Sequence, residues 1–182
     1  IIWVTAHIRG GMEKGMKWWK EGKMLKKKNT FHDYIAVANY LIKNKYTSKK
    51  KIIGMGGSAG GLLMGAVVNQ APELFLGIIM AVPFVDSLTT NLDHSLPLTI
   101  GEFKEFGNAK KYKKHFNYIF SYAPYNNIKK MEYPHMLITT SLSDNRVLFD
   151  EPAKYTAKLR DFKTDNNILL LKTEMEAGHG GK

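Results

Sequence analysis

A short apolar run that ends in a serine between glycines is the feature that most constrains how this chain folds. Residues 51–55 have the composition of a buried strand, Gly56-Gly57-Ser58-Ala59-Gly60 follows directly, and residues 61–69 are typical of a helix. In such a GxSxG arrangement the serine occupies a sharp turn from strand to helix, and small neighbours prevent clashes there. The pattern therefore predicts a strand, a strained turn that presents the Ser58 hydroxyl, and a helix.

Two other interpretations of this glycine-rich turn have to be weighed. A phosphate-binding loop of the form GxxxxGK[ST] needs a lysine before a serine or threonine after its second glycine, and this chain has Ala59-Gly60-Gly61-Leu62 instead. A plain tight turn stays open as an alternative. If the turn is a nucleophile elbow, Ser58 is the candidate nucleophile. The backbone N–H of Ala59, at the positive end of the helix dipole, is then the candidate donor to an oxyanion.

A serine hydroxyl needs a base, and in this class the partners follow in the order Ser, Asp or Glu, His. His179 lies in a glycine-lined loop, and Asp144 follows the apolar run 135–141. Both come after predicted strands, where open α/β sheets place their sites. Taken singly, Asp144 could be a turn residue and His179 a solvated loop residue. Together, in the required order, they favour a serine hydrolase. The sequence has no cluster of metal ligands, and we expect no cofactor.

Apolar runs alternate with helical patterns along the chain, which predicts an α/β fold with a mostly parallel sheet flanked by helices. The candidate strands are residues 1–6, 51–55, 77–81, 136–140 and 168–171, and the candidate helices are residues 31–44, 59–69 and 151–162. Thr30 and Asp33 form a cap-like start to the first helix. The irregular stretch 86–127 is typical of an insertion that lines a substrate pocket.

Four segments then carry a specific resemblance: Gly56-Gly57-Ser58-Ala59-Gly60-Gly61, Val82-Pro83-Phe84-Val85-Asp86, Gly101-Glu102-Phe103 and Gly178-His179-Gly180-Gly181. Together they resemble the oligopeptidase B branch of the prolyl oligopeptidase family of serine peptidases. The likeness runs along nearly the whole chain, including residues 7–11 and 149–154. It implies an α/β-hydrolase fold, a triad of Ser58, Asp144 and His179, and cleavage of short peptides after Arg or Lys through an acyl-enzyme.

The resemblance also implies substrate-binding side chains. Glu102 matches one of two carboxylates that hold the basic side chain before the scissile bond, an ion pair that an acidic pocket favours. The second position is Lys104, which would repel a basic group, and Glu105 would point to the other side of an extended segment. Arg146 resembles an arginine that contacts a substrate carbonyl, although a surface arginine is an equal alternative.

The length of 182 residues, with 44% hydrophobic residues, suits one domain with a substantial core. No repeated short-strand pattern indicates a β-propeller. The resemblance implies that residues 1–182 are a partial hydrolase domain, truncated at both ends, whose missing strands and propeller a second chain could supply. The alternatives are an impaired remnant, a split half, or a carboxylester hydrolase of the same fold.

A formal net charge of +11 raises the question of nucleic-acid binding. The 27 basic residues are nearly all scattered lysines, with arginine only at Arg9, Arg146 and Arg160, so we expect no nucleic-acid partner. Cysteine is absent, and no apolar run reaches the ~20 residues that span a bilayer. We therefore expect no membrane association and a cytoplasmic location by default.

Overall fold

The structure, a computed structural model, describes residues 1–181 and is built around a parallel sheet of four strands. The strands are β1 (Ile52–Gly57), β2 (Phe75–Ala81), β3 (His135–Ser141) and β4 (Leu169–Glu174). They lie in the order β1-β2-β3-β4, and each neighbouring pair is parallel. The carboxyl ends of all four strands therefore meet at one edge of the sheet, so loops that follow different strands can converge there.

This arrangement confirms four of the five predicted strands and the α/β class. The predicted segments 51–55, 77–81, 136–140 and 168–171 each overlap one strand, with Lys51 and Ile168 just before the first residues of β1 and β4. Three strands, β1, β3 and β4, extend further at their carboxyl ends than the predicted segments do; in β4, for example, Thr173 and Glu174 still pair with Thr140 and Ser141 of β3. Backbone hydrogen bonds continue the ladder where the side chains no longer indicate burial.

Helices connect the strands and pack on the sheet. Lys28–Lys43 (α2) precedes β1, Ala59–Gln70 (α3) joins β1 to β2, and Asp150–Phe162 (α7) joins β3 to β4. The other helices are α1 (Met16–Lys20), α4 (Ser87–Leu92), α5 (Phe103–Phe106) and α6 (Lys113–Phe120), with short 3₁₀ turns at Met24–Lys26, Pro72–Leu74 and Tyr125–Asn127. Helices α4 to α6 lie within the stretch 86–127, which the sequence pattern described only as irregular.

The core forms where α3 packs on the strands. Leu62, Met64 and Val67 of α3 are almost completely buried, as are Ile78 of β2 and Ile138 of β3. Each such side chain contributes roughly 1.5–3 kcal/mol when it leaves water. A helix that is apolar on nearly every side is stable only inside a core. Burial therefore fixes α3, and it also fixes Ser58, which directly precedes the helix.

The predicted strand at residues 1–6 is wrong. These residues form no strand, and Ile1, Ile2, Trp3 and Val4 are exposed. Apolar composition alone does not make a strand, because each backbone N–H and C=O group needs a partner on a neighbouring strand. None of the four strands pairs with this segment.

The predicted cap at Thr30 is also wrong, because α2 begins two residues earlier at Lys28. The Thr30 hydroxyl instead donates to the carbonyl of Arg9, 2.7 Å away. The Asp33 carboxylate accepts hydrogen bonds from the backbone N–H and the guanidinium of Arg9, at 2.9 and 2.7 Å. The Arg9 contacts keep the pKa of Asp33 below its ordinary value although burial opposes this. These bonds fasten the segment that carries Gly10 to α2.

One face of the sheet remains largely uncovered. Gly54 and Gly56 face α3, whereas Ile53 and Met55 point to the opposite side and are 58% and 57% exposed. Leu170 lies on that same side of β4 and is 55% exposed.

The residues that the structure describes include no helix of the length and apolarity needed to cross a membrane.

Candidate active site

Ser58 lies at the turn between β1 and α3, in a backbone conformation that serine rarely adopts. Its φ is 54° and its ψ is −118°. A non-glycine residue with positive φ costs of order 1–3 kcal/mol, so the surroundings must fix it. The Ser58 N–H donates to the carbonyl of Ala81 at 2.9 Å, and the Ser58 carbonyl accepts the N–H of Phe84 at 3.0 Å. The turn is therefore anchored to the end of β2 and to the loop after it.

The glycines around Ser58 are required by close backbone contacts. A Cβ atom added at Gly56 would lie 2.3 Å from the carbonyl oxygen of Gly60, and one at Gly61 would lie 2.3 Å from Cβ of Pro83. Real Cβ atoms do not approach other atoms so closely. The spacing of small residues that suggested an elbow is thus explained by the contacts that the turn makes.

The structure brings the three predicted triad side chains together. Ser58 Oγ lies 3.0 Å from His179 Nε2, and His179 Nδ1 lies 2.8 Å from Asp144 Oδ2. Each residue follows a different strand: Ser58 follows β1, Asp144 follows β3 and His179 follows β4. Their convergence therefore results from the parallel order of the sheet, which places these three loops at one edge.

The environment of Asp144 orients the imidazole. The Asp144 side chain is fully buried, whereas that of His179 is 17% exposed. Asp144 Oδ1 accepts the backbone N–H groups of Arg146 and Val147 at 2.9 and 3.0 Å, which leaves Oδ2 for His179. A carboxylate only accepts, so His179 Nδ1 carries the proton and Nε2 has a free lone pair toward the Ser58 hydroxyl. Such a set can move the hydroxyl proton to His179 as Ser58 attacks.

Ala59 is the first residue of α3, so its backbone N–H has no acceptor one turn earlier in the helix. The group lies directly after Ser58, at the positive end of a 12-residue helix. A backbone N–H in this position can donate to a negative oxygen that forms next to the serine.

A narrow cleft of about 30 Å³ adjoins Ser58. Its lining residues are Ser58, Ala59, Phe84, Thr90, Leu96, Leu98, Thr99, Glu102, Arg146 and Val147. Both predicted substrate-binding residues, Glu102 and Arg146, therefore face the space beside the candidate nucleophile. Partial burial, reinforced by the nearby charge of Glu105, raises the pKa of Glu102, and Lys27 opposes this shift.

Glu105 would point away from Glu102 only if the segment were extended, and in the structure the segment is helical. Residues 103–106 form α5 and Glu102 directly precedes it, so Glu102 and Glu105, three positions apart, lie on the same side. Glu102, Lys104 and Glu105 all line a second cavity of about 450 Å³, which also touches Ala59. Trp19 and Lys27 line it too. Sequence analysis missed both, since no local pattern links them to a segment some 80 positions away.

Comparison with known proteins decides the family. Residues 1–182 match the family described as Peptidase_S9, the prolyl oligopeptidase family. The chain belongs to this family. Protease 2 of Moraxella lacunata is 55% identical over the whole chain, and dipeptidyl aminopeptidase BI of Pseudoxanthomonas mexicana is 50% identical over the same residues. The chain spans only about a quarter of the length of these curated relatives, 26% and 25% respectively.

Solved structures of the family agree with the fold. Oligopeptidase B from Leishmania major has 49% identity and a TM-score of 0.93 over 95% of the chain, which is 24% of that structure. Oligopeptidase B from Trypanosoma brucei with covalently bound antipain, in a closed form, has 48% identity and a TM-score of 0.94 over 96% of the chain and 25% of that structure. The predicted α/β-hydrolase fold and the resemblance to oligopeptidase B are thereby confirmed.

Three other histidines of this family member have structural contacts that account for them. His115 Nδ1 accepts the backbone N–H of Asn108, and His135 Nδ1 accepts that of Ile168, each at 3.0 Å. His94 packs edge-on against Phe103. Residues 1–181 contain no group of three His, Cys, Asp or Glu side chains placed to hold a metal ion.

Proposed function

We propose that this protein is a serine peptidase that cleaves short peptides after basic residues, with Ser58 as nucleophile, His179 as base and Asp144 as its orienting carboxylate. The observation that carries the proposal is the continuous hydrogen-bonded chain from Ser58 Oγ through His179 to Asp144, at 3.0 and 2.8 Å. Membership in a peptidase family supports it. So does the covalent antipain complex of the Trypanosoma brucei relative, which has 48% identity to this chain.

The reaction follows from the positions of these groups. Ser58 Oγ attacks the peptide carbonyl carbon while His179 Nε2 takes the hydroxyl proton, and Asp144 stabilises the imidazolium that forms. The carbonyl oxygen becomes negative next to the Ala59 N–H, which donates to it. When the C–N bond breaks, His179 gives the proton to the leaving amine. A water molecule then attacks the acyl-enzyme and loses a proton to His179, which passes it to Ser58 Oγ as the ester C–O bond breaks.

The preference for a basic side chain is supported by the walls of the cleft and by Glu102. Phe84, Leu96 and Leu98 supply apolar walls that suit the alkyl stem of arginine or lysine. The Glu102 carboxylate lies where the cleft meets the larger cavity, so a cationic end that passes the apolar walls reaches an opposite charge. We assign to Arg146, which also lines the cleft, a hydrogen bond to a substrate carbonyl.

The first test is labelling of the purified protein by a fluorophosphonate probe, which reacts only with an activated serine. We expect labelling that Ser58→Ala abolishes, with Ser143→Ala as the matched control, because Ser143 is an exposed serine near the site and outside the cleft lining. Hydrolysis of N-acylated arginine and norleucine esters and amides then measures substrate preference.

The outcomes separate the candidates. Absence of labelling in folded protein would contradict the proposal and favour an inactive family member, or a part that needs a second chain to complete it. Labelling with turnover of esters but of no peptide would favour a carboxylester hydrolase. Turnover of arginine and norleucine substrates at equal rates would keep the peptidase and exclude the basic preference.

A further inference from the structure

The cavity next to Ala59 holds an unusual balance of charge. Four charged side chains line it, two carboxylates and two ammonium groups: Lys27, Glu102, Lys104 and Glu105. Trp19 and Phe106 supply its aromatic walls. Glu102 and Ala59 also line the cleft beside Ser58, so the cavity adjoins the candidate nucleophile at these two residues.

Lys27 and Glu105 form a fixed pair within this cavity. Lys27 Nζ lies 2.8 Å from Glu105 Oε1, and the side chains are only 11% and 28% exposed. The indole N–H of Trp19 donates to the other Glu105 oxygen at 3.1 Å, and Lys27 Nζ lies 5.2 Å from the ring centre of Phe106. Both oxygens of Glu105 are therefore engaged, and its charge is matched by a buried cation.

Glu102 differs from Glu105 in its contacts. Its carboxylate accepts no hydrogen bond and forms no ion pair within residues 1–181, although it is only partly exposed. Lys104 is exposed and can turn its ammonium group toward water, whereas Lys27 is held in place by its contacts. Of the two carboxylates, only Glu102 is open to an incoming cation.

We propose that Lys27 is a specificity-determining residue, which neutralises Glu105 so that the cavity accepts a single monocationic side chain through Glu102. This inference rests on the proposed function, because it names what sets the substrate class of the same site. If Lys27 loses its charge, Glu105 adds a second carboxylate and cations bind more tightly. If Glu105 loses its charge, Lys27 becomes an uncompensated cation near Glu102 and cations bind more weakly. Removal of both charges restores the original balance.

The experiment measures binding by calorimetry to protein that carries Ser58→Ala, so that catalysis does not enter. The probes are benzamidine, a monocation, and benzamide, its neutral counterpart, and the readout is the ratio of their dissociation constants. We expect Lys27→Met to shift the ratio roughly tenfold toward benzamidine and Glu105→Gln roughly tenfold away from it. The Lys27→Met/Glu105→Gln double variant is expected to match the parent, and so is Lys27→Arg, which keeps the charge.

Opposite shifts that cancel in the double variant indicate a charge effect. General damage to the fold would instead weaken the binding of both probes together. The same ratio of dissociation constants in all variants would overturn the inference. It would also be overturned if the parent and the folded Glu105→Gln and Lys27→Met variants all showed no saturable binding of benzamidine. If the fluorophosphonate labels the protein but the ratio of dissociation constants is the same in every variant, this inference alone is contradicted. Protein that resists labelling, yet shows the opposite shifts, contradicts the proposed function alone.

Discussion

His179 Nδ1 lies 2.8 Å from Asp144 Oδ2, across 35 positions of sequence, while the other oxygen of Asp144 is occupied by the backbone N–H groups of Arg146 and Val147. The two oxygens of one carboxylate thus have separate tasks. Oδ1 fixes the side chain to its own loop, and Oδ2 fixes the tautomer and the direction of the imidazole.

This division predicts the effect of Asp144→Asn. The amide oxygen will take the place of Oδ1, since that position accepts two N–H groups, so the NH₂ group must face His179. Nδ1 then has to accept, the proton moves to Nε2, and the base is lost. We expect kcat to fall by about 10⁴ with KM little changed, as such a tautomer change does in serine peptidases.

The measurement is steady-state hydrolysis of an arginine ester by the parent and by Asp144→Asn. Asp161→Asn, an equivalent change at an exposed carboxylate of α7, is the control and should retain parental rates. A kcat within tenfold of the parent for Asp144→Asn would argue that Asp144 does not orient the base.

Gly56→Ala tests the elbow. The added methyl group would lie 2.3 Å from the Gly60 carbonyl oxygen, a backbone atom that cannot yield without moving α3. Overpacking of this kind costs typically 1–3 kcal/mol of unfolding free energy, and here it should also displace Ser58. The matched control is Gly60→Ala, where a Cβ meets nothing within 4 Å.

Urea unfolding and fluorophosphonate labelling report the two effects separately. We expect Gly56→Ala to be less stable and to label at least tenfold more slowly, and Gly60→Ala to resemble the parent in both. Equal stability and labelling of the two variants would show that the close approach does not constrain the turn.

The elements that sequence analysis predicted are those with a local signature. Ser58, Asp144 and His179 each follow an apolar strand, and their order along the chain matches a parallel sheet, so their convergence could be predicted. The two N–H groups that hold Asp144 are backbone atoms, which no side-chain pattern reports. Lys27 and Trp19 reach Glu105 across 78 and 86 positions, where α5 packs against the 3₁₀ turn Met24–Lys26.

The wrong predictions share a cause. Residues 1–6 have the composition of a strand but no neighbouring strand to pair with, and Thr30 and Asp33 have the spacing of a cap but bind Arg9 instead. In each case a local propensity was overridden by the presence or absence of a distant partner.

Lys104→Glu tests how the exposed ammonium group affects specificity. Lys104 lines the same cavity as Glu102, so its replacement by a carboxylate should strengthen the binding of a cationic side chain. We expect the ratio of kcat/KM for arginine over norleucine esters to rise roughly tenfold, less if the side chain stays in water. Lys49→Glu, an equal charge change in the loop before β1, controls for long-range attraction. An unchanged ratio would mean that this side chain does not face the bound substrate.

Glu151 makes the free energy of unfolding depend on pH, and a single substitution can separate its contribution from that of other groups. The side chain lies at the start of α7 and is buried, and it accepts hydrogen bonds from the Asp86 N–H and the Thr90 hydroxyl. Burial raises the pKa of Glu151 to about 7, and the neighbouring carboxylates of Asp86 and Asp150 add to the shift. Lys154 binds Asp86 rather than Glu151, at 2.8 Å.

Because the folded protein holds this proton more tightly than the unfolded chain, the stability it contributes is complete below about pH 4.5 and is lost as the pH rises through about 7. Glu151→Gln keeps the shape without the titration. We therefore expect the unfolding free energy of the parent to fall relative to that of Glu151→Gln across this window, as measured by urea unfolding at several pH values. Other carboxylates titrate in both proteins and cancel in the difference. Glu73→Gln, at an exposed position, should track the parent throughout. Parallel curves for the parent and Glu151→Gln would show that Glu151 keeps the same proton affinity in the folded and unfolded states.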